Sequence, residues 1–291
     1  MTHPKLIINL ALTGMVPSKK DNPHVPISPE EIADDCARCA EAGASIFHLH
    51  ARDEAGRPTY LRERYREIIL AVRSRCPDTI LCVSTSGRTY KEFDQRSAVL
   101  DLDGDAKPEM ASLTLGSMNF PHEASMNDPA MIRALAAKMQ DRGILPELEI
   151  FDFGMADYAK YLIEREVLRP PFYFNLILGS LGTLSATPFA LAALANQLPS
   201  GATWAGAGIS RFQFAVNAMS ITMGGHVRVG LEDSLFLDAE KRRLATNLKL
   251  VQRLRRLADA AERSVADPAE ARRIIGLPAD RRFQIRNVKR G

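Results

Sequence analysis

Eight short apolar runs recur along the chain, over residues 6–12, 45–50, 80–85, 110–115, 148–151, 172–178, 203–209 and 226–231, and most are separated by a segment with helical spacing. Strand and helix alternating in this way imply a mostly parallel sheet with crossover helices. Eight such units predict an α/β chain closed into a (β/α)8 TIM barrel. An open doubly wound sheet is the competing architecture. It lacks the glycine-rich dinucleotide fingerprint here, since Gly206-Ala-Gly-Ile-Ser-Arg211 comes nearest and misses the third glycine.

Helix signals fill the gaps. Ser28-Pro-Glu-Glu31 combines a capping serine, proline at the first helical position and a glutamate placed to return the hydrogen bond, so a helix should run toward Ala42 and stop at Gly43. Asp128-Pro129 opens another, ending near Gly143, and Thr187-Pro188 opens one through Leu198. Beyond the eighth run, Leu244, Leu248, Val251, Leu254, Leu257 and Ala258 make an apolar stripe on a covering helix whose other face carries Arg253, Arg255 and Arg256. Asp267-Pro-Ala-Glu270 opens a last short helix ending at Gly276. Residues 1–277 are thus expected to form one catalytic barrel with C-terminal covering helices. The basic tail 278–291, with Phe283 and Ile285, is expected to be either mobile or packed on a neighbouring subunit.

Composition narrows the function. At 291 residues and 46% hydrophobic content, the chain can bury a full core. A net charge of +3 argues against a dedicated nucleic-acid or membrane-surface protein, while a pI near 8.7 suits anionic metabolites. No stretch has the apolar length of a membrane span and the first residues do not read as a leader, so the expected location is the cytoplasm. Cys36, Cys39, Cys76 and Cys82 are expected as free thiols. Cys36 and Cys39 are neighbours on a helix, and no second C-x-x-C completes a four-thiolate site.

The candidate chemistry begins at His48-Leu49-His50. Alternation along a strand sends residues i and i+2 to one side, so both imidazoles can share an ion. A third ligand is then needed, and the segment His226-Val-Arg-Val-Gly-Leu-Glu-Asp-Ser234 offers a carboxylate. Two histidines, one glutamate and an open fourth position make a catalytic zinc arrangement rather than a structural one; the competing reading is a pair of satisfied core histidines. A barrel would gather these groups, because active sites of this fold lie at the carboxyl ends of the strands.

Many motifs occur in order across residues 5–277: Thr13-Gly14, Asp21-Asn-Pro23, Ser28-Pro-Glu-Glu31, Glu41-Ala-Gly-Ala-Ser-Ile-Phe-His-Leu-His50, Ser84-Thr85, Lys107-Pro-Glu-Met-Ala-Ser112, Pro146-Glu-Leu-Glu149, Ala186-Thr-Pro188 and Gly224-Gly-His-Val-Arg-Val-Gly-Leu-Glu-Asp233. Together they closely resemble the beta-keto acid cleavage enzymes. The resemblance implies a zinc-dependent barrel, usually a homo-oligomer with a tetramer favoured, that turns a beta-keto acid and the co-substrate acetyl-CoA into acetoacetate and a new acyl-CoA. By motif, His48, His50 and Glu232 would bind zinc, Arg228 and Asp233 would be the catalytic pair, and Ser84, Ser112 and Arg228 would contact substrate. Family members often carry threonine at the position of Ser112, so a hydroxyl is kept. Every difficult intermediate of such a reaction is an oxyanion, which a cation and a guanidinium can stabilise. An arginine is a poor proton acceptor, so Asp233 is assigned orientation or proton transfer and Arg228 charge stabilisation.

The chain departs from the family at the substrate arm. Members that handle aminated acids carry a glutamate just after the Thr-Gly pair, where this chain has Met15-Val16, so a non-aminated substrate is expected. Arg88 stands in a loop that is glycine-rich in the family, with two readings open: a contact to a second carboxylate, or a solvated side chain. Glu149 is expected either to support a histidine or to pair with a barrel lysine, and His226 to be structural. Two other functions compete, an amidohydrolase-like zinc hydrolase and a non-catalytic metabolite-binding barrel. The first would recruit more histidines from middle strands, which this chain lacks.

Overall fold

The computed structural model describes residues 3–120 and 123–279. In chain order its strands are β1 (Ile8–Ala11), β2 (Ile46–Leu49), β3 (Ile80–Val83), β4 (Met110–Thr114), β5 (Met118–Asn119), β6 (Ala124–Ser125), β7 (Leu145–Ile150), β8 (Tyr173–Leu178), β9 (Thr203–Gly208) and β10 (His226–Val229). The helices are α1 (Pro29–Glu41), α2 (Arg62–Arg75), α3 (Phe93–Ser97), α4 (Pro129–Asp141), α5 (Phe153–Glu164), α6 (Pro188–Asn196), α7 (Gln213–Thr222), α8 (Asn247–Ala260) and α9 (Pro268–Ile275). Eight strands close into a parallel barrel, β1-β2-β3-β4-β7-β8-β9-β10 and back to β1, while β5 and β6 form a separate antiparallel pair. The fold is a (β/α)8 barrel, as the eight apolar runs predict.

Closure explains the composition of the runs. A barrel strand is covered by helices outside and by other strands inside, so it reads as nearly continuous apolar sequence. The helix starts follow the sequence signals closely. Ser28 and Glu31 form the full capping box of α1, Asp267 and Glu270 form that of α9, and Gly276 ends α9 in the left-handed conformation. Asp128 and Thr187 accept backbone N–H groups at the starts of α4 and α6.

Two boundaries differ from expectation. The fifth barrel strand starts at Leu145, three residues before the apolar run suggests, because Met110 and Ala111 pair with Leu145 and Pro146. Pro146 and Glu147 break the apolar pattern, but the strand continues through them, with Glu147 satisfied inside the barrel. Leu244 does not belong to the covering helix. Thr246 caps α8 by accepting from the Lys249 N–H, and Leu244 lies before it in a bridge to Phe236; Leu250 supplies the apolar contact instead. Most of the basic tail, from residue 280, lies outside the described residues.

The interior is layered. At the amino end of the barrel, Ile7, Ile46, Ile80, Met110, Leu145 and Tyr173 cluster with Ala271, Ile275 and Leu277, so α9 closes this end with apolar side chains. Glu109, buried, pairs with both Arg73 and Arg272 and ties α9 to the barrel wall. One step toward the carboxyl end the interior turns polar, with buried Asn9, His48, Glu147, Asn175 and Arg228.

Candidate active site

His48 and His50 project into the barrel from the end of β2, as strand parity requires, and their Nε2 atoms lie 3.1 Å apart. Glu147, which shares a face of β7 with Glu149, holds His48 in place through a 2.6 Å contact with Nδ1. Its other oxygen accepts from the side-chain amides of Asn9 and Asn175, at 2.6 and 2.7 Å. Burial opposes ionisation of this carboxyl, but the charge and hydrogen bond of His48, followed by Arg228, outweigh it and hold the pKa at about 2. With Nδ1–H given to Glu147, the Nε2 of a neutral His48 presents a lone pair toward His50.

Glu232 completes the group. Its Oε1 lies 3.2 Å from His50 Nε2 and its Oε2 lies 4.0 Å from His48 Nε2. Gly14 makes room for it: φ is +66°, and a Cβ there would fall 2.6 Å from Glu232 Cγ. Buried Arg52, bonded to the carbonyls of Gly14 and Pro17, fixes this loop against the site. The turn that delivers Glu232 and Asp233 follows β10 at Gly230, where a Cβ would meet the Ala11 carbonyl oxygen at 1.9 Å. The same turn overcomes the parity of Asp233. Its carboxylate reaches Arg228 with both oxygens, at 3.2 Å from Nε and 3.3 Å from Nη2.

Arg228 is the electrostatic centre. Besides Asp233 it contacts Glu149 and Glu232, both at 3.0 Å, and lies 3.9 Å from Glu147. Burial disfavours its charge, but Asp233, Glu232 and Glu149 more than compensate and raise its pKa well above the usual value. Glu149 therefore pairs with neither a histidine nor a lysine. It faces Arg228 and accepts from the Thr114 hydroxyl at 2.6 Å, while the histidine support comes from Glu147. Burial raises the pKa of Asp233 despite Arg228, and raises that of Glu149 likewise.

These side chains open into a cavity of about 380 Å³ at the carboxyl ends of the strands. His48, His50, Ser84, Glu149, Glu232 and Asp233 line it, as do Val16, Arg88, Phe120 and Leu181, whereas buried Arg228 is not among its lining residues. Ser112 is set back from it: its hydroxyl accepts from the Thr85 N–H at 3.1 Å and its carbonyl accepts from the Thr85 hydroxyl. His226 lies near the opposite end, where its Nδ1 accepts from the Ile7 N–H. Burial, then Arg263, push its pKa down to about 3, as suits a neutral structural ring.

The residues fit a cation. His48, His50 and Glu232 place their donor atoms within 4.8 Å of one another, and buried Glu232 Oε2 has no hydrogen-bond partner among the described residues. Four carboxylates also crowd a single guanidinium, leaving an excess of buried negative charge that a divalent ion would balance. A second cluster, His48, Cys82 and Glu147, has its donors engaged with one another, since the Cys82 thiol donates to Glu147.

Comparison with known proteins decides the lineage: the family model described as beta-keto acid cleavage enzyme matches residues 5–277. The chain belongs to the beta-keto acid cleavage enzymes. A 3-keto-5-aminohexanoate cleavage enzyme of Fusobacterium nucleatum is 41% identical, with 94% of this chain and 98% of the relative covered. A 3-oxoadipate:acetyl-CoA acetyltransferase of Cupriavidus necator is 36% identical over 96% and 97% of the two chains. A solved apo structure of ObcA shares the fold, with a TM-score of 0.79 at 24% identity over 88% of this chain and 66% of that one. Within this beta-keto acid cleavage enzyme, the support of His48 by Glu147, and of Glu147 by Asn9 and Asn175, is what sequence reading passes over. Their signal is a polar residue of inward parity inside an apolar run.

Proposed function

We propose that the protein is a zinc-dependent acyltransferase that cleaves a non-aminated beta-keto acid with acetyl-CoA, releasing acetoacetate and a new acyl-CoA. In that exchange the bond between the keto carbon and the adjacent methylene breaks, the keto acyl group passes to CoA sulfur, and the acetyl group takes its place on the methylene. The observation that carries this reading is the convergence of His48, His50 and Glu232 in one cavity of a family member, with buried Arg228 in contact with Glu232. Bound by those three residues, a divalent ion would supply Lewis-acid stabilisation of a developing oxyanion. Zinc suits two imidazoles and a carboxylate with an open position.

The chain's own residues do the remainder. Asp233, whose pKa burial raises, takes the proton from the methylene beside the ketone and is held in position by Arg228. Arg228 offsets the negative charge that this transfer leaves on the substrate. Ser84 contacts the substrate from the cavity wall, and Ser112 positions the Thr85 backbone behind it. Val16 replaces the acidic group that an ammonium arm would require.

Zinc-loaded protein given acetyl-CoA and a panel of beta-keto acids should form acyl-CoA and acetoacetate in equal amounts, read by mass spectrometry. Asp233→Asn should keep the metal and lose about 10²-fold or more in kcat. Simple hydrolysis without acyl-CoA would assign a hydrolase instead, and binding without turnover would assign a non-catalytic barrel. Efficient use of 3-keto-5-aminohexanoate would refute the non-aminated arm.

A further inference from the structure

Arg88 is the one lysine or arginine lining the cavity among the described residues, and its environment differs from that of Arg228 in every respect. Its side chain is 17% exposed, with an ion contact at 3.5 Å from Nε to Glu123, itself 46% exposed. Among the described residues its guanidinium donates no hydrogen bond, whereas that of Arg228 is saturated by carboxylates. A guanidinium on a cavity wall whose donors meet no protein acceptor at hydrogen-bond geometry can take a planar anion.

Its position is held firmly. The guanidinium lies 3.6 Å from the centroid of the Phe120 ring, which fixes its plane. The Arg88 N–H donates to Ser86 Oγ, and the Ser86 N–H donates to Ser84 Oγ. Arg96 clamps the same loop by donating to the Thr85 and Met126 carbonyls, and the Gly87 carbonyl accepts from the Met126 N–H. The loop is therefore preorganised, and binding would not have to order it.

We propose that Arg88 takes the distal carboxylate of a dicarboxylic beta-keto acid and so sets the substrate class. This rests on the cleavage reading above. The head of the substrate belongs with His48, His50 and Glu232, and Arg88 lines the same cavity, whose wall also presents the exposed apolar side chains of Val16 and Leu181. Such a wall suits a methylene arm ending in an anion. It repels an ammonium group and offers a neutral methyl terminus nothing to pair with Arg88.

The test compares 3-oxoadipate with 3-oxohexanoate, which differ only in carboxylate versus methyl at the far end. Titration calorimetry on zinc-loaded protein should give a dissociation constant at least about 10-fold lower for the diacid. Arg88→Met should bring the two affinities together. Arg88→Lys, which keeps the charge but not the fork, should restore part of the preference and controls for folding. In kinetics the loss should fall on KM for the keto acid and not on KM for acetyl-CoA, which separates a substrate carboxylate from a CoA phosphate. Equal affinities in the unmodified protein, a preference that survives Arg88→Met, or a rise in KM for acetyl-CoA instead would each overturn the proposal. Arg88-dependent diacid binding without acyl-CoA formation would fail the cleavage reading and leave this one standing.

Discussion

At the scale of single residues, the site depends on a carboxylate that never faces the cavity. Glu147 holds Nδ1 of His48 and thereby leaves its Nε2 facing the candidate ion site. On the proposed function, Glu147→Gln should keep the fold but weaken divalent-ion affinity about 10- to 100-fold, measured by competition with a chromogenic chelator. His48 and His50 were legible because strand alternation has a period of two, and Glu232 because its motif matches the family. Glu147 was not, since nothing in a one-dimensional pattern says which of two inward acids meets a histidine ninety-nine residues away. The register decides it: Glu147 pairs with Ser112 on β4, one layer below Thr114 and Glu149.

At the scale of elements, strand ends place the chemistry and tight turns make it reachable. The turn after β10 passes so near β1 that Gly230→Ala should destabilise the protein by about 2–5 kcal/mol, seen as a lower urea midpoint, with metal binding lost in parallel. Helix starts were legible because capping is a local bargain between a side chain and the next three N–H groups, as at Ser28 and Asp267. The hairpin of β5 and β6 was not. Strands of two residues, Met118–Asn119 and Ala124–Ser125, are too short to show alternation, so nothing announced that Phe120 would be placed over Arg88.

At the scale of the whole molecule, the barrel holds its charges in a polar layer above an apolar floor, and the floor has its own pH response. His226, neutral and accepting from Ile7, has a folded pKa of about 3 against an ordinary value near 6.5. Between those values the unfolded chain binds a proton that the folded one refuses. Stability from this ring is complete above about pH 6.5 and falls toward pH 3, by about 1.4 kcal/mol per pH unit at the steepest. Thermal melting from pH 7 to 4 should show a shallower decline for His226→Asn than for the unmodified protein. Architecture was legible at this scale because each strand is buried on both sides and so reads as a mainly apolar run; the closure of the floor by α9 was not, since a short helix near the end of the chain gives no sign of where it docks. The separation of floor from rim has a further consequence. His48 stands on β2, locked by its neighbours, and His50 and Glu232 follow the ends of β2 and β10 closely, whereas Val16 and Arg88 stand on connecting loops, so on the proposed function the menu of accepted acids can drift by exchanging loop side chains while the candidate reactive centre stays untouched.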